Sequence, residues 1–248
     1  MNPLDTNASE SVGHLVSRRD VITIVGVTGA AWLLMGRSPR TQGFAESDGL
    51  SCIVRPEQTE GPYFVDERLH RSDIRSDPTD GQVKRGVPLV LIPRVFRLGP
   101  GRCDPLPEAQ VDIWHCDAQG VYSDVRDPYF NTTGRKFLRG YQITDAKGTV
   151  RFTTIYPGWY PGRTVHIHFK IRTRSISRQT FDFTSQWYFS DEMTDHVHAA
   201  PPYAERGPRM ARNRHDRIFW RGGNQLMLAP SKTSDGYEAV FSIGLEMP

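Results

Sequence analysis

The stretch TIYPGWYPGRTVHIHFKIRTR, residues 154–174, combines a strand signature with a concentration of reactive side chains. From Val165 onward apolar and polar residues alternate. Val165, Ile167, Phe169 and Ile171 fall on one face of an extended chain; His166, His168, Lys170 and Arg172 fall on the other. The alternation predicts a half-buried β-strand over 165–174. It also sets two imidazoles side by side on a rigid element, which is half of a metal site. Ahead of them lies a Pro-Gly-rich turn, PGWYPG, carrying Trp159 and Tyr160, with Tyr156 just before it.

The rest of the chain repeats the strand signal in short pieces. Residues 87–96, 109–116, 140–144, 149–154, 181–189, 225–228 and 237–245 read as strands. The turn Asp145-Ala146-Lys147-Gly148 predicts a hairpin between the third and fourth of these. Residues 123–139 and the polar run 191–217 read as long loops. With 22 glycines and 18 prolines the chain favours turns over long helices. The expected fold is all-β: a β-sandwich of the immunoglobulin or prealbumin kind, with long loops. A net charge of +3 over 248 residues gives no electrostatic case for nucleic acid.

The N-terminus is set apart. Ser17-Arg18-Arg19-Asp20 precedes an uncharged run from Val21 to Gly36, short for a membrane span of about 20 apolar residues. Paired arginines before such a run predict a twin-arginine export signal over residues 1–45, cut after Gly43-Phe44-Ala45; the alternative is a retained anchor. Residues 46–248 then form one catalytic domain, periplasmic or extracellular, with no membrane span. Cys52, Cys103 and Cys116 allow one disulfide in an oxidising compartment, with its pairing open.

A His-x-His pair needs further ligands. Positions 170–175 offer no carboxylate. A third imidazole could come from His196 or His198. The other candidates are tyrosines, Tyr160 in the turn and Tyr122 after HCDAQG. A phenol, with an unperturbed pKa of about 10, becomes a ligand only beside a strong Lewis acid such as Fe(III).

Several separated motifs then converge. PEQTEGPYF (56–64), AQVDIWHCDAQGVYS (109–123), RGYQITDAKGTVRFTTIYPGWYPGR (139–163), TVHIHFK (164–170) and SQWYF (185–189) occur in this order. In these motifs the chain resembles the intradiol ring-cleavage dioxygenases, from about Cys52 to Phe189. The resemblance implies non-haem Fe(III) held by Tyr122, Tyr160, His166 and His168. It implies a catechol and O2 as substrates and a cis,cis-muconate-type product. Tyr160 would act as a base, Arg163 would stabilise charge on the ring, and Gln186 would line the substrate site. Substrate substituents and oligomeric state are not implied. The rival readings are a non-catalytic β-sandwich binding module and a zinc hydrolase built on His166 and His168.

Overall fold

The computed structural model describes residues 53–174 and 180–247. The expected export signal and Cys52 lie outside the described residues. In chain order the strands are β1 (Pro88–Gly99), β2 (Arg102–Pro105), β3 (Gln110–Trp114), β4 (Arg126–Asp127), β5 (Phe130–Asn131), β6 (Arg139–Ile143), β7 (Phe152–Ile155), β8 (His166–Arg174), β9 (Thr180–Tyr188), β10 (Ser231–Lys232) and β11 (Tyr237–Glu246). One helix, α1 (Asp191–His198), follows β9.

Two sheets form the expected sandwich. In the first, β1 is the spine. It pairs in parallel with β11, from Leu89↔Tyr237 to Leu98↔Glu246, and antiparallel with β7 and β2 along its other edge. The second sheet is antiparallel, in the order β6-β3-β8-β9. Their facing sides share one core. Leu89, Leu91, Val95, Phe152, Phe241 and Ile243 come from the first sheet; Val111, Ile113, Ile167, Phe169, Ile171 and Trp187 come from the second. Phe169 stacks on Trp187 at 4.3 Å, and the Phe241 ring meets both across the gap, at 6.2 and 5.7 Å. Such aromatic pairs add to their area burial and lock the two sheets in one alignment.

Four expectations change. The 145–148 turn forms, with Gly148 N–H donating to Asp145 O, but its arms do not pair as a hairpin. β6 stays in the second sheet while β7 crosses to β1, because Phe152 is needed in the core between them. Gly148 allows the crossing: its φ is +70°, and a Cβ there would lie 2.2 Å from Val95 O.

The run 191–217 is not a plain loop. Ser190 caps α1 by accepting from Met193 N–H at 3.1 Å, and Tyr203–Arg206 and Asn213–His215 form 3-10 turns. Over the expected strand 225–228 the chain instead makes a 3-10 turn, Gly223–Leu226, and then a single bridge from Met227 to Tyr188. The expected surface loop 123–139 ends buried, at Phe137 and Leu138, and contains the small β4–β5 hairpin. Among the cysteines, Cys103 is disulfide-bonded and Cys116 is a buried free thiol.

Phe241 reaches across the sandwich without approaching the outer face of the second sheet. Phe241→Ala is expected to lower the unfolding free energy by about 3–5 kcal/mol, read as a shift of the urea midpoint.

Candidate metal centre

Strand register begins the assembly. In the second sheet Trp114 of β3, His168 of β8 and Gln186 of β9 stand in one row, and His166 stands beside Tyr188. These residues lie on the face turned away from the core. The Trp114 ring lies flat on the His168 ring, 4.9 Å apart and 7° from parallel, which fixes the plane of that imidazole.

Alternation predicts that this outer face is half-exposed. It is buried instead, because residues 56–66 fold over it. Gln58 N–H donates to Thr184 O at 2.9 Å, Lys170 pairs with Glu60, and Lys170 Nζ sits 4.5 Å from the centre of the Phe64 ring. Phe64 packs on Trp114 at 4.8 Å, and Arg172 bridges Asp66 and Asp112 at 2.8 and 2.7 Å. His166 and His168 are left 2% and 1% exposed. At Gly61 (φ +74°) the cover comes so close that a Cβ would lie 3.3 Å from His168 Cε1.

Tyr122 and Tyr160 arrive from two loops on the same spot. The Tyr122 segment is held by Thr132 Oγ1, which donates to Tyr122 O at 2.6 Å, and by the buried Arg139, which donates to Ser123 Oγ at 2.7 Å. The Tyr122 ring lies 4.6 Å from Tyr63, 5.7 Å from Tyr160 and 6.2 Å from His168. Tyr160 Oη lies 3.2 Å from His166 Nε2, which lies 3.0 Å from His168 Nε2. All four sequence-predicted ligands therefore come together.

A family model and a solved relative match this chain. A family model described as Dioxygenase covers residues 59–204. The solved structure of an intradiol ring-cleavage dioxygenase from Tetranychus urticae aligns with a TM-score of 0.68 at 30% identity, over 79% of this chain and 95% of that one. The chain belongs to the intradiol ring-cleavage dioxygenase family. Among curated relatives, the protocatechuate 3,4-dioxygenase beta chain of Burkholderia cepacia is 33% identical over 150 residues, 56% of this chain. Catechol 1,2-dioxygenase of Acinetobacter baylyi is 34% identical over 113 residues, 42% of this chain. The matched segments span 60% and 32% of those two relatives' lengths.

The residues of this family member fit a hard cation. His166 Nδ1–H donates to Thr164 O at 2.7 Å, which leaves a lone pair on Nε2. Tyr160 Oη, Arg163 Nη1 at 3.3 Å and His168 Nε2 all crowd that one lone pair. Tyr122 Oη is buried with no hydrogen-bond partner. An unmet buried polar atom costs about 1–3 kcal/mol, so a cation among the four groups relieves a real conflict. Among the described residues no cluster of three or more His, Cys, Asp or Glu offers a cage. A metal here depends on the phenols. Burial, first of all, raises the Tyr122 phenol well above its usual range and pushes Tyr160 up to about 12. Only a strong Lewis acid would hold both as phenolates.

The other predicted residues fall in two groups. Arg163 joins the centre through Nη1, while Gln186 is fully buried and has both ends engaged. Its Nε2 donates to Thr59 O at 2.8 Å, and its Oε1 accepts from Arg163 Nη2 at 2.5 Å and Tyr188 Oη at 3.0 Å. It supports Arg163 and is absent from the lining of the pocket beside Tyr160. His196 and His198 stand on α1; His198 bonds Pro157 O at 3.0 Å and stacks on Tyr203, so it does not join the centre. Tyr156 and Trp159 are buried packing, tied to Thr194 and to Gly207 O. Sequence reasoning assigned no role to Tyr63, Trp114, Thr164, Tyr188 or Asp216. Trp114 could have been placed by aligning the β3 and β8 alternations. The others depend on long-range packing.

Burial also pulls His166 and His168 well below 6.5, and His115 down to about 4. These imidazoles are neutral when folded and take protons on unfolding, so the stability they permit is intact above pH 6.5. It drains as pH falls toward their folded values, by about 1.4 kcal/mol per pH unit for each proton taken up. The urea midpoint of chelator-treated protein is expected to drop from pH 7 to pH 5. His115→Gln should make that slope shallower.

Proposed function

We propose that the protein is a non-haem Fe(III) dioxygenase that cleaves catechol-type rings between the two hydroxylated carbons. Both atoms of O2 enter a cis,cis-muconate-type product. One observation carries the reading: Tyr122, Tyr160, His166 and His168 converge, and one of them, Tyr160, also lines a pocket. The pocket has a volume of about 360 Å³ and is lined by Tyr63, Val121, Tyr129, Phe130, Tyr160 and Arg206 among others. Its volume and aromatic walls suit a planar ring.

Fe(III), held by Tyr122, Tyr160, His166 and His168, would supply the Lewis acidity that keeps the two phenols ionised and acidifies a catechol. The chain's own contributions are separate. Tyr160 both belongs to the donor set and lines the pocket, so its Oη is the atom that accepts a catechol proton. Arg163 keeps its charge at any working pH. Asp216 and Gln186 hold it, with Nη1 against His166, where it stabilises negative charge growing on the ring. Tyr63, tilted against Tyr122 and donating through Oη to Asp127 at 2.6 Å, lines the pocket beside Tyr160. The cover formed by residues 56–66 keeps bulk water from the imidazoles, which strengthens each of these interactions.

Phenolate on Fe(III) absorbs visible light, and this gives the test. Purified protein is expected to be coloured and to consume O2 with at least one member of a catechol, protocatechuate, methylcatechol, chlorocatechol and hydroxyquinol panel. Tyr122→Phe and Tyr160→Phe should each change the visible band, while Tyr156→Phe should leave it in place. An unaltered band in both ligand variants overturns the iron assignment. A colourless protein with zinc supports the hydrolase, and one with no metal supports the binding module.

We further propose export by the twin-arginine route, on the strength of Arg18-Arg19 and the uncharged run after them. Replacing both arginines with lysine is expected to retain folded, coloured protein in the cytoplasm; normal export of that variant counts against the route. N-terminal sequencing of exported wild type should begin near Glu46.

A further inference from the structure

Arg163 and His166 meet at a residue that neither touches the pocket nor belongs to the four-ligand set. Asp216 is 1% exposed, and both of its oxygens are saturated. Oδ2 accepts from Arg163 Nε at 2.9 Å and from Thr164 N–H at 3.0 Å. Oδ1 accepts from Ile218 N–H at 2.7 Å and Phe219 N–H at 3.3 Å. Thr164 carries the restraint onward. Its hydroxyl donates to Asn213 Oδ1 at 2.6 Å, and its carbonyl receives His166 Nδ1–H at 2.7 Å. One carboxylate thus grips the Arg163 guanidinium directly and the His166 imidazole through a single residue, Thr164. Asn213, fixed by Nδ2 to Phe189 O at 2.9 Å, holds the side chain of the same residue.

We propose that Asp216 is a positioning residue that holds Arg163 in its charge-stabilising pose. The proposal rests on the ring-cleavage reading given above. Without the carboxylate, Arg163 loses the acceptor for Nε and keeps only Gln186 Oε1 and the crowded His166 lone pair. Its long side chain then gains other rotamers. The four predicted ligands keep their own side chains, and His166 keeps its bond to Thr164 O, so iron and colour persist.

Asp216→Asn separates this role from a purely structural one. Asparagine still caps the 217–219 turn through its side-chain oxygen, but its NH2 group faces Arg163 Nε and Thr164 N–H donor to donor. The expected result is a coloured protein with wild-type iron content, KM nearly unchanged and kcat lower by about 10-fold or more. In an Arg163→Leu background the same substitution should change kcat less than about 2-fold, since residues that act as a unit are not additive. Chelator-treated protein supplies a second arm that needs no activity. Asp216→Asn should lower the urea midpoint substantially in the wild-type background and less in the Arg163→Leu background. Equal kinetic losses in the two backgrounds, or equal losses of midpoint, overturn the proposal. A wild type that takes up no O2 with any catechol overturns the ring-cleavage reading instead, and the urea arm still decides whether Asp216 holds Arg163.

Discussion

The centre depends on one strand having both of its faces buried. β8 gives Ile167, Phe169 and Ile171 to the core and His166 and His168 to the opposite side. Because the side-chain period is two, a one-residue slip would send the imidazoles into the sandwich and the apolar side chains under the loops. The Phe169–Trp187–Phe241 cluster penalises such a slip on one face and the Trp114–His168 stack penalises it on the other. The core and the metal centre therefore constrain each other through a single backbone.

The cost of that arrangement is borne by the loops. The polar side chains packed around the centre each need a partner. The partners come from widely separated segments: Thr59 for Gln186, Gln58 for Tyr188, and Asp216 for Arg163. Lys170 and Arg172, which extend the histidine row, are neutralised by Glu60, Asp66 and Asp112. The cover is thus held by charge and by aromatic contact at once, and its removal would expose the centre rather than the core.

Elements with a simple period were legible in the sequence. β3, β8, β9 and β11 fall within a residue or two of their expected bounds, and β1 runs three residues past its expected end, since alternation follows directly from burial on one side. The four converging ligands were legible only through ordered motifs, because no periodicity links Tyr122 to His168. The hairpin over 140–154 misread a correct turn: local chemistry closed it, but the core took β7 into the other sheet. The helix α1 was hidden in a polar run whose buried face is only Thr194 and Val197. Gln186 was expected to line the substrate site, and the bonds it makes to Arg163, Tyr188 and Thr59 were not legible in the sequence. Which side of a pocket a glutamine serves is set by residues more than 100 positions away, such as Thr59.

The spine of the first sheet joins two strands that lie far apart in the sequence. β1 lies parallel to β11, its partner roughly 150 positions later. A ribosome emits β1 long before β11, so through most of synthesis the central strand has an open hydrogen-bonding edge. Closing that edge is a late, long-range event with a large loop-entropy cost, and it makes the sandwich cooperative rather than modular. The nascent chain must spend its unfinished interval shielded from other strands. A protein built this way is suited to maturing whole in one compartment, with its last strand acting as the latch.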